Sequence, residues 1–279
     1  MAYKTILTVL DTPDNARQIT DFALSLAETF SAHVIGVHAE ILSAIPLIAP
    51  MEIPDPAAVQ MLQEVARKET TEVAQIFSSK ATREGVSTEW RSFMSAAGYG
   101  ASSVMETARS ADLIIASQSG PGTSDHTADL ETFLFESGRP LLLVPFVMKA
   151  PKPIRRVLVA WNGSREAARA TFDALPFLKA AESVEILIVD PPERGDRDPQ
   201  FAGAEIAATL SRHDVKVTVT TQEGAGITPA AAIENRLSDG SIDLLVMGGY
   251  GHSRWWEMLF GGVTRSVLDT MTAITLIAR

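Results

Sequence analysis

The sequence repeats one pattern of apolar strands and amphipathic helices twice, and this repeat limits the fold more than any other feature. Residues 4–10 form a predicted buried strand that ends at Asp11, and Thr12–Pro13 follows as a helix cap with proline in the first turn. Residues 156–161 and Asn162–Ser164 repeat that order. Alternation of strand and helix implies parallel strands, right-handed crossovers and helices on both faces of a sheet.

We therefore predict an α/β fold of two doubly wound, mainly parallel, five-stranded Rossmann-like domains in tandem. The first domain is predicted at residues 1–148 and the second at residues 154–279, with a linker at Lys149–Pro153. The predicted strands cover residues 4–10, 34–38, 88–93, 112–116, 141–144, 156–161, 184–189, 215–221, 242–247 and 273–278. The predicted long helices cover residues 13–30, 57–84, 99–108, 165–179, 200–212 and 228–237, and an interruption at Pro176 is the alternative for the helix 165–179.

A glycine-rich stretch between a strand and a helix marks the candidate site of the second half. It begins with Gly248, Gly249 and Gly251 after the strand 242–247 and closes on Gly261–Thr264. Glycines at such a junction let the backbone approach a ligand closely, and the free N–H groups of a helix start bind anions. The stretch predicts a phosphate-binding loop, and a tight structural turn is the alternative.

The first half carries the same scaffold with a different loop. Its fourth strand keeps Gly120 but has Ser117 where the second half has Gly248. Aligning the last strands places Asp129 and Glu131 in the region of the phosphate loop. Attraction by a helix terminus, roughly 0.3–1 kcal/mol, would not offset two carboxylates facing a phosphate. We therefore expect the second half, and not the first, to bind phosphate.

Composition excludes several other classes of function. A net charge of −10 argues against nucleic acid as the main partner, because phosphate backbones are bound by clustered Lys and Arg. The absence of cysteine excludes disulfides, thiolate metal sites and thiol nucleophiles. No apolar run of about 18 residues and no leader pattern appears, so we expect a cytoplasmic protein without a membrane span. The histidines show no metal-ligand spacing.

The sequence contains few signs of catalysis. It has no Gly-x₄-Gly-Lys-Ser/Thr loop, and His252 next to Ser253 does not make a catalytic triad. Catalysis therefore has little support from the residues.

The spacing Gly248-x₂-Gly251-x₉-Gly261 resembles the Gly-x₂-Gly-x₉-Gly-Ser/Thr nucleotide motif of the universal stress protein family. The doubled strand order is similar to that of tandem members of the family. The resemblance implies a Rossmann-like fold, bound ATP with Mg²⁺ as a candidate companion, and two domains that pair within one chain or in a homodimer. The site residues that it implies are Ala160, Trp161, Asn162, Val189, Asp190, Met247, Gly248, Gly249, Gly251, His252, Gly261, Gly262, Val263 and Thr264.

Two positions depart from the family pattern. Gly262 stands where the motif has Ser or Thr, so a hydroxyl contact to phosphate is missing unless Thr264 supplies it. Asn162 stands where the first strand often ends in Asp, whereas the first half retains Asp11. Three functions remain open at this point: a stress-response regulator that binds ATP, a slow ATPase, and an adaptor without nucleotide whose partner surface includes residues 46–56.

Overall fold

The computed structural model describes residues 2–42, 55–96, 99–118, 127–190, 203–223, 226–249 and 270–279. Within these residues strands and helices alternate as predicted. The strands are Thr5–Val9 (β1), His33–Leu42 (β2), Thr88–Ala96 (β3), Leu113–Ser117 (β4), Leu141–Val144 (β5), Arg156–Ala160 (β6), Ser183–Val189 (β7), Val217–Gln222 (β8), Leu244–Gly248 (β9) and Ile274–Ala278 (β10). The helices are Pro13–Phe30 (α1), Pro56–Glu84 (α2), Gly100–Arg109 (α3), Thr127–Glu136 (α4), Arg165–Asp173 (α5), Leu175–Ala180 (α6), Ala204–Arg212 (α7) and Pro229–Asp239 (α8).

The chain divides into two compact units, which confirm the predicted α/β fold. The first unit holds residues 3–139 and 149–151, and its described strands lie in the order β3-β2-β1-β4, all parallel. The second holds residues 1–2, 140–148 and 152–279, with described strands in the order β5-β10-β9-β6-β7-β8. These pair in parallel except β5, which runs antiparallel to β10. Because of that pairing, β5 lies in the second unit although it precedes the predicted linker.

Local sequence signals explain where the helices begin and end. Thr12 caps α1 by accepting the N–H of Asn15, and Pro13 occupies the first turn, where its missing N–H costs nothing. Gly85 ends α2 in a left-handed conformation at φ 68°. The predicted helix 165–179 divides at Ala174 into α5 and α6, because Pro176 fits the first turn of a new helix but not the middle of a continuous one.

The core of the first unit includes a buried histidine. His38 is 4% exposed, its Nδ1 lies 2.6 Å from the Leu10 carbonyl oxygen, and its ring stacks on Trp90. A buried imidazole needs such a partner because an unsatisfied polar group costs free energy. No helix in the described part of the chain is long and apolar enough to cross a membrane.

One aspartate in each unit ties the first strand of that unit to its neighbour. Asp112 Oδ2 accepts the N–H groups of Lys4 and Thr5 at 2.8 and 2.9 Å. Asp243 Oδ2 accepts those of Arg155 and Arg156 at 2.9 and 3.0 Å. The same contact therefore recurs in both repeats, just before β4 and just before β9.

The environment of Asp243 favours its charged form. Burial opposes ionisation, but the N–H groups of Arg156 and Arg155 and the ammonium of Lys152, 3.1 Å from Oδ1, outweigh it. The pKa of Asp243 is therefore held below its usual value.

We predict that Asp243→Asn lowers the free energy of unfolding by about 1–2 kcal/mol at pH 7, because two backbone donors lose a charged acceptor. The folded pKa is lowered, so this stabilisation is complete above the unfolded pKa of about 4 and is lost as the pH falls through the folded pKa. Urea denaturation from pH 7 to pH 3 measures it. The control Glu182→Gln removes an exposed carboxylate, 3.5 Å from Arg155, and should change stability by less than about 0.5 kcal/mol. An equal loss for both variants, or a loss that is as large at pH 3 as at pH 7, would contradict the prediction.

Candidate functional site

The strand order of the second unit creates a switch point between β6 and β9. The chain leaves β6 toward β7 and β8 on one side and returns to β9 on the other side of β6. In such sheets ligands bind at the carboxyl ends of the strands, where the two directions diverge. Ala160 pairs with Met247 across β6 and β9, so Trp161 and Gly248 follow at the same level. These predicted site residues lie together.

The end of β7 lies beside them. Trp161 N–H donates to the Leu187 carbonyl at 2.9 Å, which keeps the chain after β6 against β7. Two residues beyond Leu187, Val189 ends the strand, and the exposed Asp190 follows at φ 47°. A non-glycine residue in this left-handed region is uncommon and marks a conformation held by its surroundings. The backbone N–H of Asp190 donates to the Gln222 carbonyl at 3.0 Å.

Asn162 shapes the turn between β6 and α5. Its side-chain oxygen accepts the N–H of Ser164 at 3.0 Å, and Ser164 Oγ in turn accepts the N–H of Ala167 at 3.1 Å. Gly163 between them adopts φ 72°, which favours glycine. Asn162 thus supplies an acceptor to the turn without a charge, and its amide hydrogens are the donors that it can offer a ligand.

Gly248 allows α5 to pack directly on the end of β9. A Cβ atom at this position would lie 2.5 Å from the Ala167 nitrogen and 2.6 Å from the Glu166 carbonyl carbon. Both atoms belong to helix backbone, so the conflict could not be relieved by turning a side chain. The scaffold itself therefore requires this glycine. Gly249 continues the chain past β9 and donates its N–H to the Ala278 carbonyl at 2.9 Å.

Glu166 is a buried carboxylate at the start of α5 that the sequence interpretation missed. Its side chain is 4% exposed and pairs with the exposed Arg165. Burial acts against its charge, but hydrogen bonds from Arg165, its own backbone N–H and Ser164 prevail and lower the pKa of Glu166. An acidic residue in the first turn after a serine cap was the available signal. A polyphosphate at this helix start would meet a negative charge.

The remaining predicted contacts lie outside the described residues. They are Gly251, His252, Gly261, Gly262, Val263 and Thr264. Among the described residues, no group of three or more His, Asp or Glu side chains is arranged to hold a metal ion.

The first unit has a crevice at the equivalent end of its sheet. We call it the first-unit crevice: it lies between the ends of β1 and β2 and the starts of α3 and α4, has a cavity volume of about 20 Å³, room for roughly one water molecule, and is lined by Asp11 and Asp129 together with mainly apolar side chains. Asp129 Oδ1 accepts the N–H of Ala101 at 2.9 Å, while the cap residue Tyr99 makes no side-chain hydrogen bond to the helix. The start of α3 is thus neutralised by a carboxylate of the protein.

Comparison with known proteins agrees with the duplicated fold. Residues 153–279 match the model of the Universal stress protein family. A universal stress protein from Archaeoglobus fulgidus DSM 4304 is similar over 98% of this chain and 96% of its own, with a TM-score of 0.70 and 19% identity. A protein of unknown function from Pseudomonas aeruginosa PAO1 is similar over 99% of this chain and 92% of its own, with a TM-score of 0.60 and 14% identity. No curated protein sequence matches the chain.

We predict that Gly248→Ala lowers the free energy of unfolding by about 1–3 kcal/mol, because the added methyl group forces α5 away from β9. Thermal and urea denaturation measure the loss. Ser117→Ala is the matched control, because the equivalent position of the first unit already carries a side chain, and its effect should stay below about 0.5 kcal/mol. If Gly248→Ala is as stable as wild type, the close packing of α5 on β9 does not limit this position.

Proposed function

We propose that this chain, whose residues 153–279 match the model of the Universal stress protein family, is a cytoplasmic stress-response protein that binds one adenine nucleotide, ATP, in its second domain. The observation that carries the proposal is the meeting of three strand ends, those of β6, β7 and β9, at the switch point of the second unit. The glycine spacing of the family motif begins at this place, with Gly248.

In the proposed complex the strand ends hold the nucleoside. Ala160 and Val189 end the neighbouring strands β6 and β7, and Trp161 and Asp190 follow them. The base would therefore lie between apolar and backbone groups from both strand ends. Asp190 is exposed at the strand end and is suited to accept a ribose hydroxyl hydrogen. Asn162 would donate from its amide group.

The phosphates belong at the glycine-rich stretch rather than at α5. Glu166 is buried at the start of α5 with a lowered pKa, which disfavours a second anion there. The backbone N–H groups of Gly251 and of Gly261–Thr264 are the proposed partners, with Mg²⁺ accompanying the phosphates. The protein would act as a binding module. The proposal includes pairing of the two repeats within one chain or of two chains in a homodimer.

The proposal assigns no nucleotide to the first unit. Asp129 already occupies the helix start that would face a phosphate, and Asp11 lines the same crevice. One nucleotide per chain is the expected stoichiometry.

Calorimetry on full-length protein stripped of nucleotide should give one ATP site per chain. Gly251→Asp should weaken binding at least about tenfold, because the new carboxylate faces the phosphates, and about tenfold corresponds to only 1.4 kcal/mol. Gly120→Asp changes the equivalent glycine of the first repeat and should leave the affinity unchanged. Circular dichroism establishes that both variants fold. No binding of ATP or AMP at millimolar concentration, or two equal sites, would refute the proposal.

A further inference from the structure

The turn after β6 contains the one asparagine of the chain that precedes a glycine. The three asparagines of the sequence are Asn15, Asn162 and Asn235, and Gly163 follows Asn162. We propose that Asn162 is a site of spontaneous deamidation, which slowly replaces a neutral amide by a carboxylate at the carboxyl end of β6. The change is covalent and needs no bound ligand, metal or partner.

The reaction requires only the Gly163 nitrogen, the Asn162 side chain and water. The nitrogen attacks the side-chain carbonyl carbon and loses its proton to solvent, and ammonia leaves, so that a succinimide ring closes. Water then adds to one of the two ring carbonyl groups and opens the ring. The product is aspartate, or isoaspartate when the backbone now runs through the former side chain. Overall one water is consumed and one ammonia is released, and nothing is oxidised or reduced.

The Gly163 nitrogen is available as the nucleophile. Among the described residues its N–H donates no hydrogen bond, and Gly163 is exposed. Beyond the adjacent residues, a Cβ atom at this position would meet no described heavy atom within 4 Å. Glycine adopts both signs of φ, here 72°, so the backbone can rotate toward the ring geometry with no side chain in the way.

The Asn162 side chain is held against the backbone that follows it. Its Oδ1 accepts the N–H of Ser164 at 3.0 Å, a turn in which the side-chain amide folds over the next peptide. The hydrogen bond draws electron density from the side-chain carbonyl carbon, which makes that carbon more susceptible to attack. Asn162 is also exposed, so water and hydroxide reach the turn.

Two other positions show what the fold protects. The nitrogen that follows Asn15 belongs to Ala16 and is engaged in a hydrogen bond at the start of α1. Asp239–Gly240 could close the same ring by losing water, but the Gly240 nitrogen donates to the Arg236 carbonyl at 3.0 Å. A nitrogen held in this way cannot turn toward the preceding side chain. These sites should therefore stay intact in the folded protein.

The fold can accommodate the aspartate product. The first repeat already has Asp11 at the equivalent position after β1. A carboxylate at position 162 can still accept the N–H of Ser164, and it lies just before α5, near the positive end of that helix. The surface offered to a ligand changes, because the hydrogen-bond donors of the amide are replaced by a charged group that only accepts.

Peptide mass mapping of aged, folded, full-length protein tests the proposal. Trypsin releases residues 157–165, in which Asn162 is the sole asparagine. This peptide should gain the mass difference between an amide and an acid at least about tenfold faster than the peptides that contain Asn15 and Asn235. The rate should rise with pH, because ring closure requires loss of the Gly163 proton. Asn162→Gln should remove the gain, since the longer side chain closes a ring far more slowly.

Detection of isoaspartate separates the effect of the fold from that of the sequence. Enzymatic methylation of isoaspartate should label position 162 in the folded protein and leave Asp239 unlabelled. In urea both positions should be labelled, because the hydrogen bond of Gly240 is lost. The proposal would be overturned by no mass gain at Asn162 in the folded protein, by equal rates at the three asparagines, or by labelling of Asp239 as fast as position 162 before unfolding.

The consequence for ATP rests on the proposed function. Asn162→Asp, which reproduces the product, should lower ATP affinity about tenfold in calorimetry, because amide donors are lost and a negative charge is added. Asn235→Asp adds the same charge at an exposed position of α8 and should have no effect. If fresh wild-type protein binds no ATP, the proposed function fails while the mass result stands. If it binds ATP and Asn162→Asp binds equally well, deamidation does not regulate the site.

Discussion

The aspartate that precedes the fourth strand of each repeat determines where the ends of the central strands lie. By accepting two consecutive backbone N–H groups at the start of β1 or β6, Asp112 and Asp243 fix the register of that strand against β4 or β9. In a parallel pair, a register fixed at the amino ends also fixes the level of the carboxyl ends. The switch point of the second unit, and with it the candidate nucleotide site, therefore depends on a contact at the opposite ends of the strands.

The two repeats share this arrangement of strands but differ in how the helix before the fourth strand is capped. In the second unit, α8 is capped by its own Thr228, which accepts the N–H of Ala231. In the first unit the equivalent helix, α3, takes its cap from Asp129 on another helix. A cap borrowed from a neighbouring element brings a negative charge into the crevice that a cap by threonine would not. The start of α3 is thus occupied by a carboxylate of the protein, whereas the start of α8 is capped by a neutral hydroxyl.

The sequence predicted the features that depend on local chemistry, namely the helix ends and the apolar strands. Thr12–Pro13 and Gly85 marked helix ends correctly because caps act within one turn of backbone, and the strands were visible as short apolar runs. The partner of β5 was not visible, since Leu141–Val144 is apolar on every residue and carries no signal of direction. Likewise, β2 extends to Leu42, beyond its predicted end, because its pairing with β3 continues to Ala96 and pairing is non-local.

The candidate site also combines features that the sequence predicts with features that only the structure shows. This affects which of its glycines count as evidence for a ligand. Ala160 and Asn162 could be placed at strand ends from the repeat alone, whereas the burial of Glu166 depends on packing that no spacing reveals. Gly248 is explained without any ligand, because α5 touches β9 where its side chain would be. In the first repeat Ser117 occupies the position equivalent to Gly248. The glycine of the second repeat therefore reflects how closely α5 approaches β9. Evidence for a nucleotide must therefore come from residues that the scaffold does not need, and Gly248 is not among them.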